Sequence, residues 1–412
     1  MATRLFGLGL ESIGLDTSEK PQMGRICTGN DVPEGHRNRA ILRVSQPRTD
    51  VPDGYLAYFF DACPTDPPRR NAFRLAPSFQ HLSDGDVIRF DPARGSINVL
   101  YRKASDSNTL VLTECCNNRC LMCSQPPAQR ADFRLLDEAR QLVSLISTDT
   151  RELGISGGEP GLLGPKLVEL VTLLRERLPN TAVHLLSNGR PFSDPALARA
   201  LAQVHHPDLM VGVPLHSDLP EEHDYVAQAH GAFDETVRGI LNLKQSGVRV
   251  ELRLVIHELT KTRLVEFAEF VARNLLFVDH VALMGIELEG YARSNLALLW
   301  IDPLDYVDAL TRAVRRLVQA GSNVSIYNLP LCVLPDELHP FARRSISDWK
   351  TEFVRECADC MRKEDCSGLF ASGTAIMSRG IRSYSPRRTS GLSEGSTSSD
   401  DGEYAHDANT IR

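Results

Sequence analysis

The chain has no excess of basic charge: 46 Lys and Arg stand against 53 Asp and Glu, for a net charge of −7. General electrostatic attraction to nucleic acid or to an anionic membrane is therefore not expected. No apolar run approaches the length of a membrane span. The apolar stretch from Leu5 to Leu10 is interrupted by glycines and followed by Glu11, so it does not read as a secretory signal. Without an export signal, the ten cysteines are expected as metal ligands or buried thiols in a reducing cytoplasm, not as disulfides. No internal repeat appears beyond an alternation of strand and helix patterns.

What is present suffices for a large core. The 412 residues are 42% hydrophobic and 24% charged, which suggests about two or three domains. The first hundred or so residues are β-rich. Asp86 to Phe90 and Ser96 to Arg102 alternate around the turn Asp91-Pro92-Ala93-Arg94-Gly95, a hairpin signal. Ala40 to Val44 and Tyr55 to Phe60 also suit strands, and the Pro-rich Cys63 to Arg70 reads as a loop.

From Thr109 onward, short apolar runs alternate with amphipathic stretches, the pattern of βα units on a parallel sheet. Strands are expected at Thr109–Thr113, Glu152–Ser156, Ala182–Ser187, Leu209–Leu215, Val248–Ile256 and His280–Ile286. Helices are expected near Leu135–Ile146, Pro165–Arg177, Asp194–Val204, Phe233–Ser246, Lys261–Arg273 and Pro303–Ala320, with Gly247 and Gly321 as stops. Right-handed crossovers curl six such units into a partial (βα)6 barrel whose ligand loops follow the strand ends. The expected organisation is an α/β protein with a β-rich N-terminal domain (1–107), the barrel (108–325), a Cys-rich extension (326–377) and a disordered, Ser- and Gly-rich tail (378–412).

Directly after the first barrel strand comes Cys116-Asn-Asn-Arg-Cys120-Leu-Met-Cys123. Three thiolates in one loop suit an iron–sulfur cluster and leave one iron of a 4Fe-4S cube open to an outside ligand. A structural zinc site generally takes four protein ligands, so the loop points to chemistry. Cys115 beside it reads as a packing residue, and the isolated Cys27 and Cys63 carry no assigned role. The second strand ends in Ser156-Gly157-Gly158-Glu159-Pro160, where glycines let backbone approach a ligand closely. Further on, Cys357-Ala-Asp-Cys360-Met-Arg-Lys-Glu-Asp-Cys366 follows Cys332, a set of four thiols that can close either a zinc site or a second cluster.

The CxxxCxxC loop and the Gly-Gly-Glu segment one unit later resemble the radical S-adenosylmethionine (SAM) superfamily over about Asn108 to Gly321. That resemblance implies a SAM-binding 4Fe-4S cluster held by Cys116, Cys120 and Cys123. It also implies contacts to the SAM amino group from Gly157, Gly158 and Glu159. Met122 stands where relatives commonly carry an aromatic residue. Ser187 and Asn188 after strand three and Ser217 after strand four are candidate SAM contacts; Pro214 stands where many relatives have Ser, and His216 could face substrate. Arg253 could hold the SAM carboxylate or pair with Glu251 or Glu287, and Glu287 and Glu289 are further candidate contacts.

The later cysteines resemble the twitch extension, a shortened SPASM domain, in which Cys332, Cys357, Cys360 and Cys366 would hold an auxiliary 4Fe-4S cluster. Phe370 occupies the position of the next SPASM cysteine. The segments Cys116 to Pro127, His223 to Thr236 and Cys366 to Ser372 resemble the C-type radical SAM maturases of the His-Xaa-Ser system (HxsC). This implies a precursor peptide substrate, a second radical SAM maturase, a small accessory protein and a flavodoxin- or ferredoxin-type reductant. Two other readings stand beside it: radical chemistry on a small metabolite, and a non-catalytic relay or scaffold subunit.

Overall fold

The computed structural model describes residues 5–13, 20–29, 32–46, 51–64, 68, 71–128 and 133–384. Among them, no helix is long and apolar enough to cross a membrane. The N-terminal region carries β1 (Phe6–Leu8), β2 (Leu10–Ser12), β3 (Gln22–Cys27), β4 (Ala40–Val44), β5 (Ala57–Phe60), β6 (Ala72–Leu75), β7 (Val87–Asp91) and β8 (Ser96–Tyr101). They form one sheet in the order β1-β8-β7-β3-β4-β5-β6-β2. The expected hairpin is β7–β8. Most of the Cys63 to Arg70 loop lies outside the described residues.

Strands β1 and β2 sit at opposite ends of that order although only Gly9 separates them. The two edges therefore meet and the sheet closes into a small barrel. A side chain at Gly9 would collide with the Phe79 ring. Inside, Phe59, Phe73 and Phe90 pack edge-to-face with centroids 5.5 to 5.9 Å apart. Closure removes the exposed strand edges that would otherwise invite pairing with another chain.

The second sheet is wholly parallel, in the order β15-β14-β13-β12-β11-β10-β9. Its strands are β9 (Thr109–Val111), β10 (Glu152–Ser156), β11 (Ala182–Leu186), β12 (Leu209–Pro214), β13 (Arg249–Ile256), β14 (His280–Gly285) and β15 (Val324–Tyr327). All six expected strands are present. The seventh, β15, corrects the expectation of six, and the expected boundary at 325 falls inside it. It escaped notice because polar Ser325 interrupts a run of only four residues; Ser325 is bound to His280 at 2.9 Å.

Six helices match expectation, Arg134–Val143, Pro165–Arg177, Pro195–Gln203, Ala232–Gln245, Leu264–Asn274 and Val307–Gln319; Pro220–Ala227 is additional. Gly247 and Gly321 terminate their helices at φ +84° and +86°, a conformation costly for any other residue. Apolar faces of these helices and of the strands form one continuous core.

After β15, 3-10 turns lead to the short antiparallel pair β16 (Thr351–Glu352) and β17 (Leu369–Phe370), between which Cys357, Cys360 and Cys366 lie. The tail expected from Ser378 begins later. Ser378 to Tyr384 are described and hydrogen-bonded to the barrel, with Ser378 Oγ donating to Asp302 Oδ1 at 2.6 Å. Composition placed them in the tail because the segment is polar, yet Ile381 and Tyr384 pack on the core. The rest of the expected tail, 385–412, lies outside the described residues.

Candidate active site

The loop after β9 is shaped by its neighbours. Helix Pro220–Ala227 accepts two of its N–H groups, Arg119 to Ala227 O at 3.0 Å and Leu121 to Val226 O at 2.9 Å. Arg190 clamps the other side through Nη1, donating to Asn117 O and Asn118 Oδ1, both at 2.7 Å. Its Nε donates to Glu235 at 2.6 Å. Asn188 Nδ2 donates to Asn117 Oδ1 at 2.6 Å. Tyr291 N–H donates to Cys123 O at 2.8 Å, and Gly290 at φ +57° lies where a Cβ would come within 2.6 Å of that oxygen. Met122 is buried with Val226, Ala292 and Leu299, filling the apolar wall that an aromatic side chain would fill.

These contacts gather Cys116, Cys120 and Cys123 into one electrostatic neighbourhood. Burial pushes the Cys120 thiol up to about 12, and negative charge on Cys123 and Cys116 pushes the same way. Burial raises Cys116 to about 11. Three buried thiolates repel one another, so a bound cation is what makes their ionised form favourable. Arg190 was not singled out in the sequence; only its place after Ser187-Asn188-Gly189 could have pointed to it. Arg190→Ala is expected to lower iron retention about 10- to 100-fold by freeing the loop, measured as iron per chain after desalting against a chelator.

The Gly-Gly-Glu segment lies against the same loop. A Cβ at Gly157, which sits at φ +133°, would strike Thr113 O, and one at Gly158 would strike Cys115 O. Glu159 N–H donates to Cys115 O at 2.7 Å. The Glu159 carboxylate is fully buried and turns inward. Oε1 accepts from Gly161 N–H and Ser187 Oγ, both at 2.7 Å, and Oε2 accepts from Asn188 N–H at 2.6 Å. Burial pushes its pKa up to about 7 against these three donors. The carboxylate thus ties the β10 loop to the β11 loop. Backbone at Gly157 and Gly158 remains to meet a ligand.

Ser187 and Asn188 are thus brought to the loop, with Asn188 Nδ2 3.8 Å from Cys116 Sγ. Ser217 is otherwise engaged. Its hydroxyl donates to Glu222 at 2.9 Å and accepts from Leu219 N–H, opening the helix Pro220–Ala227. Such a local bond to a turn fixes the hydroxyl's position. His216 is buried and stacked on His223 at 5.1 Å. Burial holds His216 far below its ordinary value and lowers His223 to about 4 and nearby His257 to about 3, so all three stay neutral at pH 7.

Arg253 Nη1 lies 3.5 Å from Glu251 Oε1. Glu251 is buried in the barrel lumen, where Oε2 meets His280 Nδ1 at 2.7 Å and Oε1 lies 3.4 Å from His184 Nε2. Burial acts to raise its pKa, but the two histidines and Arg253 prevail and hold it well below the carboxylate range. A depressed carboxylate pKa stabilises the fold above the unfolded value of about 4.3, and that contribution is lost as pH falls through and below it. In Glu251→Gln, the fall in urea midpoint between pH 6 and 4 is expected to be shallower than in the parent chain. His184, Arg253 and Tyr327 line a cavity of about 390 Å³ at this level. Glu287 and Glu289 do not stand free: Lys350 Nζ lies 2.7 Å from Glu287 and 3.7 Å from Glu289.

Cys332, Cys357, Cys360 and Cys366 line a single cavity. Burial raises Cys332 and Cys357, and mutual charge among these thiols adds to it. Backbone N–H groups of Leu331 and Gly368 donate to Cys366 Sγ, each at 3.4 Å. No three of the described His, Cys, Asp and Glu side chains converge tightly enough to hold one metal ion. In a polynuclear cluster each thiolate takes its own iron, so its ligands stand apart; both cysteine groups have the donor chemistry for one.

A parallel barrel with three thiols on its first strand-end loop and a backbone-approach turn on its second is the arrangement of a radical SAM domain. Residues 110–271 match the family model described as the Radical SAM superfamily. Among curated proteins, Fe-coproporphyrin III synthase of Methanosarcina barkeri is 29% identical over 153 residues, 36% of this chain and 36% of that protein. Among solved structures, SuiB of Streptococcus suis bound to S-adenosylmethionine overlays with TM-score 0.45 and 13% identity, over 55% of this chain and 52% of that one. The AdoMet-bound anSMEcpe gives 0.41 and 17%, over 53% and 60%. The chain thus spans about a third of its curated relative and about half of these structures.

Proposed function

We propose that the protein cleaves S-adenosylmethionine reductively and uses the product radical to modify a peptide. The observation that carries the first part is the joint placement of Cys116, Cys120 and Cys123 beside the Gly157–Gly158 turn. A cluster bound there would supply the electron that splits SAM into methionine and a 5′-deoxyadenosyl radical able to take hydrogen from an unactivated carbon. The chain's own part is positional. Arg190, Asn188 and helix Pro220–Ala227 fix the thiols, Glu159 locks two ligand-facing loops together, and Arg253 and the Gly157–Gly158 backbone are the groups we assign to the cofactor.

The substrate we infer is a His-Xaa-Ser precursor peptide, supported by the segments around Cys116, His223 and Cys366. A second maturase, an accessory protein and a flavodoxin- or ferredoxin-type reductant in the cytoplasm would complete the system. Cys332, Cys357, Cys360 and Cys366 are assigned an auxiliary 4Fe-4S cluster. The test is anaerobic incubation of reconstituted enzyme with SAM, reductant and the co-encoded peptide, with and without the partner maturase, read by mass spectrometry. A mass change located in the peptide supports the reading, and formation of 5′-deoxyadenosine with no change in any co-encoded peptide overturns it. Similarity to Fe-coproporphyrin III synthase favours a second reading, a small-molecule substrate; turnover of purified metabolite pools without peptide would select it.

A further inference from the structure

We infer that Ser378–Tyr384 is a strap built into the second cysteine site, positioning its thiols and setting the potential of the cluster they hold. The inference rests on the auxiliary-cluster assignment. The strap is pinned at both ends. At its start, Asp302 Oδ1 accepts from Ser378 Oγ at 2.6 Å and Oδ2 accepts from Arg379 N–H at 2.9 Å, while Arg379 also pairs with Asp305. At its end, Tyr384 O accepts from Met361 N–H at 3.0 Å and Tyr384 Oη donates to Leu331 O at 3.2 Å.

Between these anchors the backbone reaches a sulfur. Tyr384 N–H donates to Cys360 Sγ at 3.4 Å, and Arg382 lines the cavity that holds Cys332. Ile381, Arg382 and Tyr384 line the same cavity as the four cysteines. Arg362 and Lys363 line it too, so with Arg382 three cations face a site whose ligands are thiolates. Arg362 also stacks 5.9 Å from the Tyr384 ring. Hydrogen bonds to sulfur, nearby charge and solvent exposure are the protein's means of setting a cluster's potential. Leu331 and Gly368 serve Cys366 from within the site, and the strap serves Cys360 from outside it. It is a positioning element, not a ligand.

The test uses the full chain, reconstituted anaerobically, with four variants. Cys360→Ala first establishes the cluster: the chain should fall from about eight irons to about four. If its iron content is unchanged, the auxiliary assignment itself fails. Asp302→Ala releases the anchor without touching a thiol or its donors, and a chain ending at Met377 removes the strap. Both are expected to lose the second cluster to a chelator about 10-fold faster or more, while SAM-induced changes in the electron paramagnetic resonance signal of the first cluster persist. Tyr384→Pro removes one N–H donor and should move the midpoint potential of the second cluster to a more negative value, leaving the first unchanged. If Cys360→Ala loses one cluster while these three variants keep the parent's chelation rate and potential, the strap has no such role.

Discussion

Replacing Cys116, Cys120 and Cys123 by alanine is expected to abolish 5′-deoxyadenosine formation and to remove about four irons per chain, leaving those of the second site. Most of the bonds that shape the loop come from groups other than its thiols. Arg190, Asn188, Val226, Ala227 and Tyr291 hold it through backbone and amide groups. The triple variant should therefore stay folded, with thermal unfolding close to that of the parent. Each single alanine variant should be nearly as inactive, because each thiolate takes a separate iron. Cys115→Ala is the control. It offers its backbone oxygen to Glu159, and alanine keeps that bond. Product formation by the triple variant, measured chromatographically with SAM and dithionite, would overturn the assignment of the site.

The second large effect is expected at Glu159. Glu159→Ala strands three donors, the N–H groups of Gly161 and Asn188 and the Ser187 hydroxyl, at a fully buried place. Leaving a buried donor unpaired costs about 1–3 kcal/mol, so a loss on the order of 3–5 kcal/mol is expected after relaxation. Because the same carboxylate joins the two loops, SAM binding should weaken along with stability. Glu159→Gln preserves shape but turns an NH2 group toward a donor, and should cost about 1–3 kcal/mol. Glu152, at the start of the preceding strand β10, is exposed, and Glu152→Ala should change stability by no more than about 0.5 kcal/mol. Urea unfolding and a SAM titration of the reconstituted protein measure both; a Glu159→Ala chain as stable as the Glu152 variant would refute the clasp.

How much of this was legible follows from range. The six expected strands and six helices announce themselves through continuous apolar runs, amphipathic period and glycine stops, all local signals. Strand β15 did not, because Ser325 meets His280 on the neighbouring strand β14, and that partner lies 45 residues away in sequence. The closure of the N-terminal sheet was likewise hidden. Nothing around Gly9 reveals that β1 and β2 pair with strands at opposite edges. The turn of the Glu159 carboxylate toward Ser187 and Asn188, 28 and 29 residues further on, was hidden for the same reason.

The sequence by itself determined the local motifs: three cysteines at tight spacing, a Gly-Gly-Glu turn one βα unit later and Cys357, Cys360 and Cys366 downstream, each readable because its residues lie within a few positions of one another. Tertiary structure alone decided which side chains face a ligand and which hold the loops. Arg190 reaches Asn117 across 73 residues, Ser187 reaches Glu159 across 28, and the Ser378–Tyr384 strap reaches back to Asp302 and Cys360. Such pairings depend on where strand ends meet in space, and polar side chains that close loops look the same in sequence as those that bind substrate.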